Sequence, residues 1–132
     1  MIVRREPVVW AASKRHDTHL ARPLPLALFT EGCAYRRWAT QALEASAIAY
    51  RVGFESPSVS GVLAAVRSGL AVAPVGASMV PDDIRVLGPA EGFPSLPAAV
   101  ISVQTARADP SEVVRTLKQE VVRAFGCREA TD

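Results

Sequence analysis

The run Ala64-Ala65-Val66-Arg67-Ser68-Gly69-Leu70-Ala71-Val72-Ala73-Pro74 decides how this chain is read. Its first half closes a helical pattern: Val59, Val62, Leu63 and Val66 recur at the i, i+3, i+4, i+7 spacing that lines apolar side chains along one face. Gly69 then supplies a residue at ease in the left-handed conformation that ends many helices. Residues 70–75 follow directly, short and apolar, as a buried strand is.

Outward from that point the same alternation continues. Residues 7–12, 26–29, 50–54 and 98–105 read as strands, being enriched in branched or aromatic residues and flanked by Pro, Gly or Ser. A helix is predicted over 34–46, where Tyr35, Trp38, Ala39, Ala42 and Leu43 form an apolar stripe and Arg36, Arg37, Thr40, Gln41 and Glu44 take the other side. Ser56-Pro57 is read as an N-cap and first-turn proline for a helix over 58–68. Asp109-Pro110-Ser111-Glu112 gives the same signal ahead of Val114, Leu117, Val121 and Phe125, with an acid three residues after the expected cap. Residues 76–97 carry turn-forming prolines and glycines around a weak strand at 84–87. Strand and helix in alternation imply an α/β fold with a mostly parallel sheet and helices packed on both faces.

Composition narrows the functional classes. A chain of 132 residues that is 49% hydrophobic can bury one sizeable core. Fifteen basic residues against thirteen acidic ones leave a formal charge of +2 with no dense Lys/Arg block, so the chain alone is expected to bind DNA poorly. No apolar run approaches the roughly 18 residues of a membrane span, and the first residues lack a secretory apolar stretch, so no membrane partner and a cytoplasmic location are expected. Cys33 and Cys127 are far apart and match no metal-ligand spacing, and His16 and His19 have no further ligands nearby. Both cysteines are read as reduced thiols, and neither a metal nor a cofactor is expected.

The elements taken in order resemble a known family. Glu6-Pro7-Val8-Val9-Trp10-Ala11-Ala12-Ser13, the segment ending His19-Leu20-Ala21, then Pro25-Leu26-Ala27-Leu28-Phe29, the turn Glu31-Gly32-Cys33, and the run Ala64 to Pro74 quoted above are similar to the effector-binding domain of LysR-type transcriptional regulators, specifically its second lobe and C-terminal part. The similarity spans about residues 6–107. It implies a three-layer lobe like that of type II periplasmic binding proteins, with a small effector held between two lobes. Residues 7–105 would form the second lobe and include both hinge-crossing strands, and the helix in 106–132 would belong to the first lobe. The resemblance further implies a homodimer or higher homo-oligomer. DNA would be reached only through an N-terminal domain absent from this chain.

The function so implied is sensing of a small anionic metabolite and its coupling to transcription, without catalysis. Two alternatives stand beside it, an exported solute-binding protein of the same fold and a small α/β enzyme. Against the enzyme, the chain has no Gly-rich phosphate loop of standard spacing and no nucleophile elbow. Ser13, His16 and Asp17 crowd one short polar segment, which does not suit a converging triad.

Ligands of open α/β sheets gather at the carboxyl ends of strands, where helix N-termini attract anions. Two such corners are present, Thr30-Glu31-Gly32-Cys33-Ala34-Tyr35-Arg36 and Glu55-Ser56-Pro57-Ser58-Val59. The effector-binding candidates are therefore Thr30, Glu31, Gly32, Cys33, Arg36, Ser56, Pro57 and Ser58, with Pro74 as a boundary after the preceding strand. Each has a plainer role open to it. Ser56 can simply cap a helix, Gly32 can simply permit a turn, and Arg36 and Arg37 can lie on a solvated face. Cys33 can be a redox-sensitive thiol or a small residue at a packed turn. Trp10 and Trp38 are read as packing residues and not as ligand-stacking ones.

Overall fold

Side chains alternate between the two faces of a strand, and that alternation sorts the apolar residues of Pro7–Pro97 into two cores, one on each side of a sheet. The computed structural model describes residues 2–102 and 111–126. In chain order its main elements are β1 (Ile2–Glu6), β2 (Val8–Ser13), β3 (Leu24–Leu28), α1 (Ala34–Ala45), β4 (Tyr50–Glu55), α2 (Val59–Arg67), β5 (Ala73–Gly76), β6 (Ile84–Leu87), β7 (Ala99–Ser102) and α3 (Glu112–Gly126). They divide into two units, Pro7–Pro97 and a smaller one built of β1, β7 and α3.

In the larger unit β2 is central, with Trp10 opposite both Pro74 of β5 and Leu87 of β6 in antiparallel ladders. β3 and β4 pair in parallel. A parallel bridge between Leu26 and Val72 joins the two sets, through Val72 N–H to Pro25 O and Ala27 N–H to Val72 O, both 2.9 Å. The order is thus β4-β3-β5-β2-β6, with β3, β4, β5 and β6 running one way and β2 the other. The mostly parallel sheet expected from the alternation is present, and its one reversed strand is the one that carries the chain into the unit.

Trp10, Ala12, Leu24, Leu26, Leu28 and Val72 face one side and pack against Ala39 and Leu43 of α1. Ala11, Ala27, Ala73, Val75 and Ile84 face the other and pack against Val62, Leu63 and Val66 of α2. The unit is therefore three-layered, a helix on each face. Leu24, Leu26, Leu28 and Leu43 are each 0% exposed, and each contributes roughly 1.5–3 kcal/mol through that burial. Trp10, in the same core, satisfies its indole N–H on the carbonyl of Pro94 at 2.9 Å, as a buried tryptophan must.

The N-terminal cap of α2 differs from expectation. α2 is capped by Ser58, not Ser56: its hydroxyl accepts the Gly61 N–H at 3.1 Å and its backbone is extended. Pro57 lies before the cap and not at the first helical position. Ser111 plays the matching part at α3, accepting the Val114 N–H at 3.4 Å; Asp109, read as that cap, lies outside the described residues. At the other end of α2, Gly69 adopts φ +78° and the Gly69 and Leu70 N–H groups return to Val66 O and Ala65 O, the paired bonds of a Schellman ending.

Strand bounds also move. β5 begins at Ala73, so Pro74 lies inside the strand and not after it. In the smaller unit β1, which the polar run Ile2-Val3-Arg4-Arg5-Glu6 did not announce, pairs antiparallel with β7, Glu6 opposite Ala99. Arg4 and Glu6 form a buried ion pair there, and α3 packs on β1.

Candidate functional site

Parallel neighbours end together. β3 and β4 are in register to their last residues, Leu28 beside Glu55, and the Ser56 N–H continues the ladder onto Leu28 O at 3.0 Å. Each strand then turns into a helix, so the two corners foreseen in the sequence emerge side by side at one end of the sheet, ahead of the first turns of α1 and α2.

At the first corner Gly32 has φ +90° with open space where a Cβ would lie. Its conformation, not crowding, demands glycine. Cys33 is the N-cap of α1; its backbone N–H donates to Thr30 O at 3.3 Å, and its side chain makes no capping bond. Cys33 is a free thiol, and Cys127 lies outside the described residues.

Arg36 joins the corners. One guanidinium nitrogen donates to Phe29 O at 3.0 Å and lies 3.2 Å from the Glu55 carboxylate, while the other lies 4.0 Å from Glu31. With its side chain only 19% exposed, Arg36 is not on a solvated face; its neighbour Arg37 is exposed. Glu31, Gly32, Cys33, Arg36, Arg37 and Thr40 line a surface depression of about 240 Å³.

The second corner is a hydroxyl pair. Ser56 Oγ accepts the Ser58 N–H at 3.2 Å and lies 3.4 Å from Ser58 Oγ, which itself accepts from Gly61. Each oxygen thereby receives a backbone N–H, leaving the hydroxyl hydrogens able to donate. Gly61 makes the room, for a Cβ there would fall 2.3 Å from Ser56 Oγ. Pro57 is exposed between the two serines.

Of the sequence candidates, the structure brings Thr30, Glu31, Gly32, Cys33 and Arg36 together with Ser56, Pro57 and Ser58 at one end. Pro74 does not join them: it is fully buried within β5 opposite Trp10, so its ring meets core and not solvent. Arg37 and Thr40 line the depression and Glu55 borders it through Arg36; the sequence sets Arg37 beside Arg36 and Glu55 in the second corner, but none of the three is among the candidates. Thr40 follows Arg36 by one helical turn, a spacing visible in the sequence; Glu55 becomes relevant only once β3 and β4 are seen to be neighbours. Along α1's other flank Phe29, Tyr35 and Trp38 form an aromatic ladder with centroid separations of 6.1 and 5.9 Å. Among the described residues no His, Cys, Asp and Glu side chains group to hold a metal ion, and no helix is long and apolar enough to cross a membrane.

Comparison with known proteins gives a consistent result. The family model described as LysR substrate binding domain matches residues 2–126. The HTH-type transcriptional regulator DgdR of Burkholderia cepacia is 32% identical over 120 residues, which cover 91% of this chain and 41% of that protein. The regulator PecT of Dickeya dadantii (strain 3937) is 29% identical over 97 residues, 74% of this chain and 31% of that one. The chain therefore spans well under half the length of these relatives. Among solved structures, the Synechocystis PCC6803 CcmR regulatory domain in complex with 2-PG shares the fold with a TM-score of 0.63 at 15% identity, over 95% of this chain and 65% of that one. HinK of Pseudomonas aeruginosa, a LysR family regulator, does so at 0.64 and 12% identity, over 92% and 45%.

Proposed function

The chain belongs to the LysR substrate-binding domain family, and from that premise we propose that it is the ligand-sensing part of a longer transcriptional regulator, receiving a small anionic metabolite at the strand ends of its larger unit. Pro7–Pro97 corresponds on this reading to the second effector-binding lobe, and β1, β7 and α3 to part of the first. Thr30, Glu31, Gly32, Cys33, Ser56, Pro57 and Ser58 form the surface offered to the ligand, with Arg36 holding its two halves in register. The domain senses its ligand and does not turn it over. DNA contact and homo-oligomerisation belong to the whole regulator acting in the cytoplasm; a structure of the relative CbnR is described as full-length and complexed with its target DNA.

One observation carries the reading. Two strand-to-helix corners distant in sequence stand side by side, tied by the Arg36–Glu55 ion pair, and clustered donors at strand ends are the usual seat of ligands in sheets of this kind. Binding to the folded state alone raises stability by RT ln(1 + [L]/Kd), about 2.7 kcal/mol at a hundredfold excess over Kd. A thermal-stability titration of the chain with small carboxylates, phosphates, amines and sugars is expected to show a saturable rise for at least one member. A flat response across the panel would remove the sensor reading.

A further inference from the structure

Resting on the sensor reading of the first corner and narrowing its anionic ligand to one whose anionic group is a carboxylate balanced by an ammonium, we propose that the ligand seated there is a small zwitterion of the α-amino acid class, with Arg37 meeting its carboxylate and Glu31 its ammonium group. The argument is one of committed and uncommitted charge. One guanidinium nitrogen of Arg36 is taken by Glu55 at 3.2 Å and by the Phe29 carbonyl at 3.0 Å, so the charge of Arg36 is already answered by a carboxylate before any anion arrives. Arg37 is exposed, and among the described residues no carboxylate pairs with it. Glu31 has a side chain that is 88% exposed and touches Arg36 only at 4.0 Å. The depression between them thus has one available cation and one available anion on its lining.

A dianion entering this space would be repelled by Glu31 on its lining, and like-charge juxtaposition is a strong means of rejecting a ligand. A lone amine would satisfy Glu31 and leave Arg37 and the N-terminal end of α1, which favours negative charge, without a partner. A ligand carrying both groups a few bonds apart answers both. The volume of about 240 Å³ falls below the range typical of drug-sized pockets, which suits a molecule as small as an amino acid.

The test is a matched-ligand titration of the full chain by calorimetry and thermal shift, using a set of α-amino acids, the 2-hydroxy acids of the same carbon skeletons, and the corresponding amines lacking the carboxylate. The expected result is saturable binding of one or more amino acids, with the matching hydroxy acid and amine weaker by on the order of tenfold or more, about 1.4 kcal/mol each. Glu31→Gln should collapse the preference for the amino acid over the hydroxy acid while leaving the unliganded melting temperature nearly unchanged. Arg37→Gln should weaken both acids alike. Hydroxy acids that bind as tightly as the amino acids, or a preference that survives Glu31→Gln, would overturn the zwitterion while leaving a sensor of anions in place. In the wider panel of carboxylates, phosphates, amines and sugars, binding confined to phosphates would do the same, and binding confined to sugars would overturn the anionic ligand as well. Silence from all of these compounds would remove the sensor reading as well.

Discussion

Arg36 in the first turn of α1 holds its guanidinium 3.2 Å from the carboxylate of Glu55 at the end of β4, so a single ion pair fastens the two corners of the candidate site. Removing it from the arginine side also strips a hydrogen bond from the Phe29 carbonyl. Arg36→Ala is therefore expected to lower stability by about 1–2 kcal/mol. Glu55→Gln, at a half-exposed position, should cost less than about 1 kcal/mol. Urea denaturation of both variants checks the order; a larger loss for Glu55→Gln would contradict this arrangement.

Ser58 and not Ser56 caps α2. Ser58→Ala should cost about 1 kcal/mol, the usual effect of losing an N-cap. Ser56→Ala gives up an acceptor for the Ser58 N–H at 3.2 Å and a weak hydroxyl contact with Ser58 Oγ at 3.4 Å and should fall clearly below that. Denaturation midpoints at constant slope would separate the two, and equal losses would refute the assignment.

Gly69 combines a left-handed backbone with crowding: a Cβ there would meet the His16 ring at 2.5 Å. Gly69→Ala is expected to cost about 1–2 kcal/mol from the backbone alone, and more from the clash. Adding His16→Ala should recover the ring's share of the clash, while the His16 Cβ at 2.9 Å and the conformational cost remain. Full recovery in the double variant, read by thermal unfolding, would show that the conformation itself costs nothing.

Two surface carboxylates set an acid limit. The Arg67 guanidinium, 2.7 Å from Asp83, holds that carboxyl below its usual range, and the Gly88 N–H, 2.7 Å from Glu91, does the same there. A depressed folded-state pKa contributes stability that is complete above the unfolded value and lost as pH falls through the folded one. These contributions should thus hold from neutral pH to about 5 and fade below about 4, near the ordinary carboxylate values. Carboxyl NMR titration of wild type and Arg67→Gln would check this, Asp83 moving upward in the variant while Glu91 stays in place.

Local periodicity made most elements legible. α1 and α2 follow their apolar stripes to within a residue or two, because each buries that stripe against one face of the sheet. The misplaced cap of α2 has a local cause: in Ser56-Pro57-Ser58 two hydroxyl residues flank a proline, and the choice between them depends on where the helix first meets its core. β1 was hidden because its Arg4 and Glu6 are buried as a pair, and buried charge imitates a surface pattern in sequence. At the site, the corners were readable from glycine, serine and proline. Arg36 was readable as a candidate, but its pairing with Glu55 was not, since the two are close only after β3 and β4 align.

Reversal of β2 has a consequence for the order of assembly. Val8–Ser13 leaves the ribosome ahead of every other strand in its unit, yet it bonds to Ala73–Gly76 and Ile84–Leu87, the last two to be made. Trp10 and Ala11 of the nascent chain must therefore wait without partners while Leu24 to Arg67 are translated, and pairings so distant along a polypeptide are slow to form. A ribosome stalled before Leu87 displays an unsealed sheet, the state in which a chaperone has most to hold.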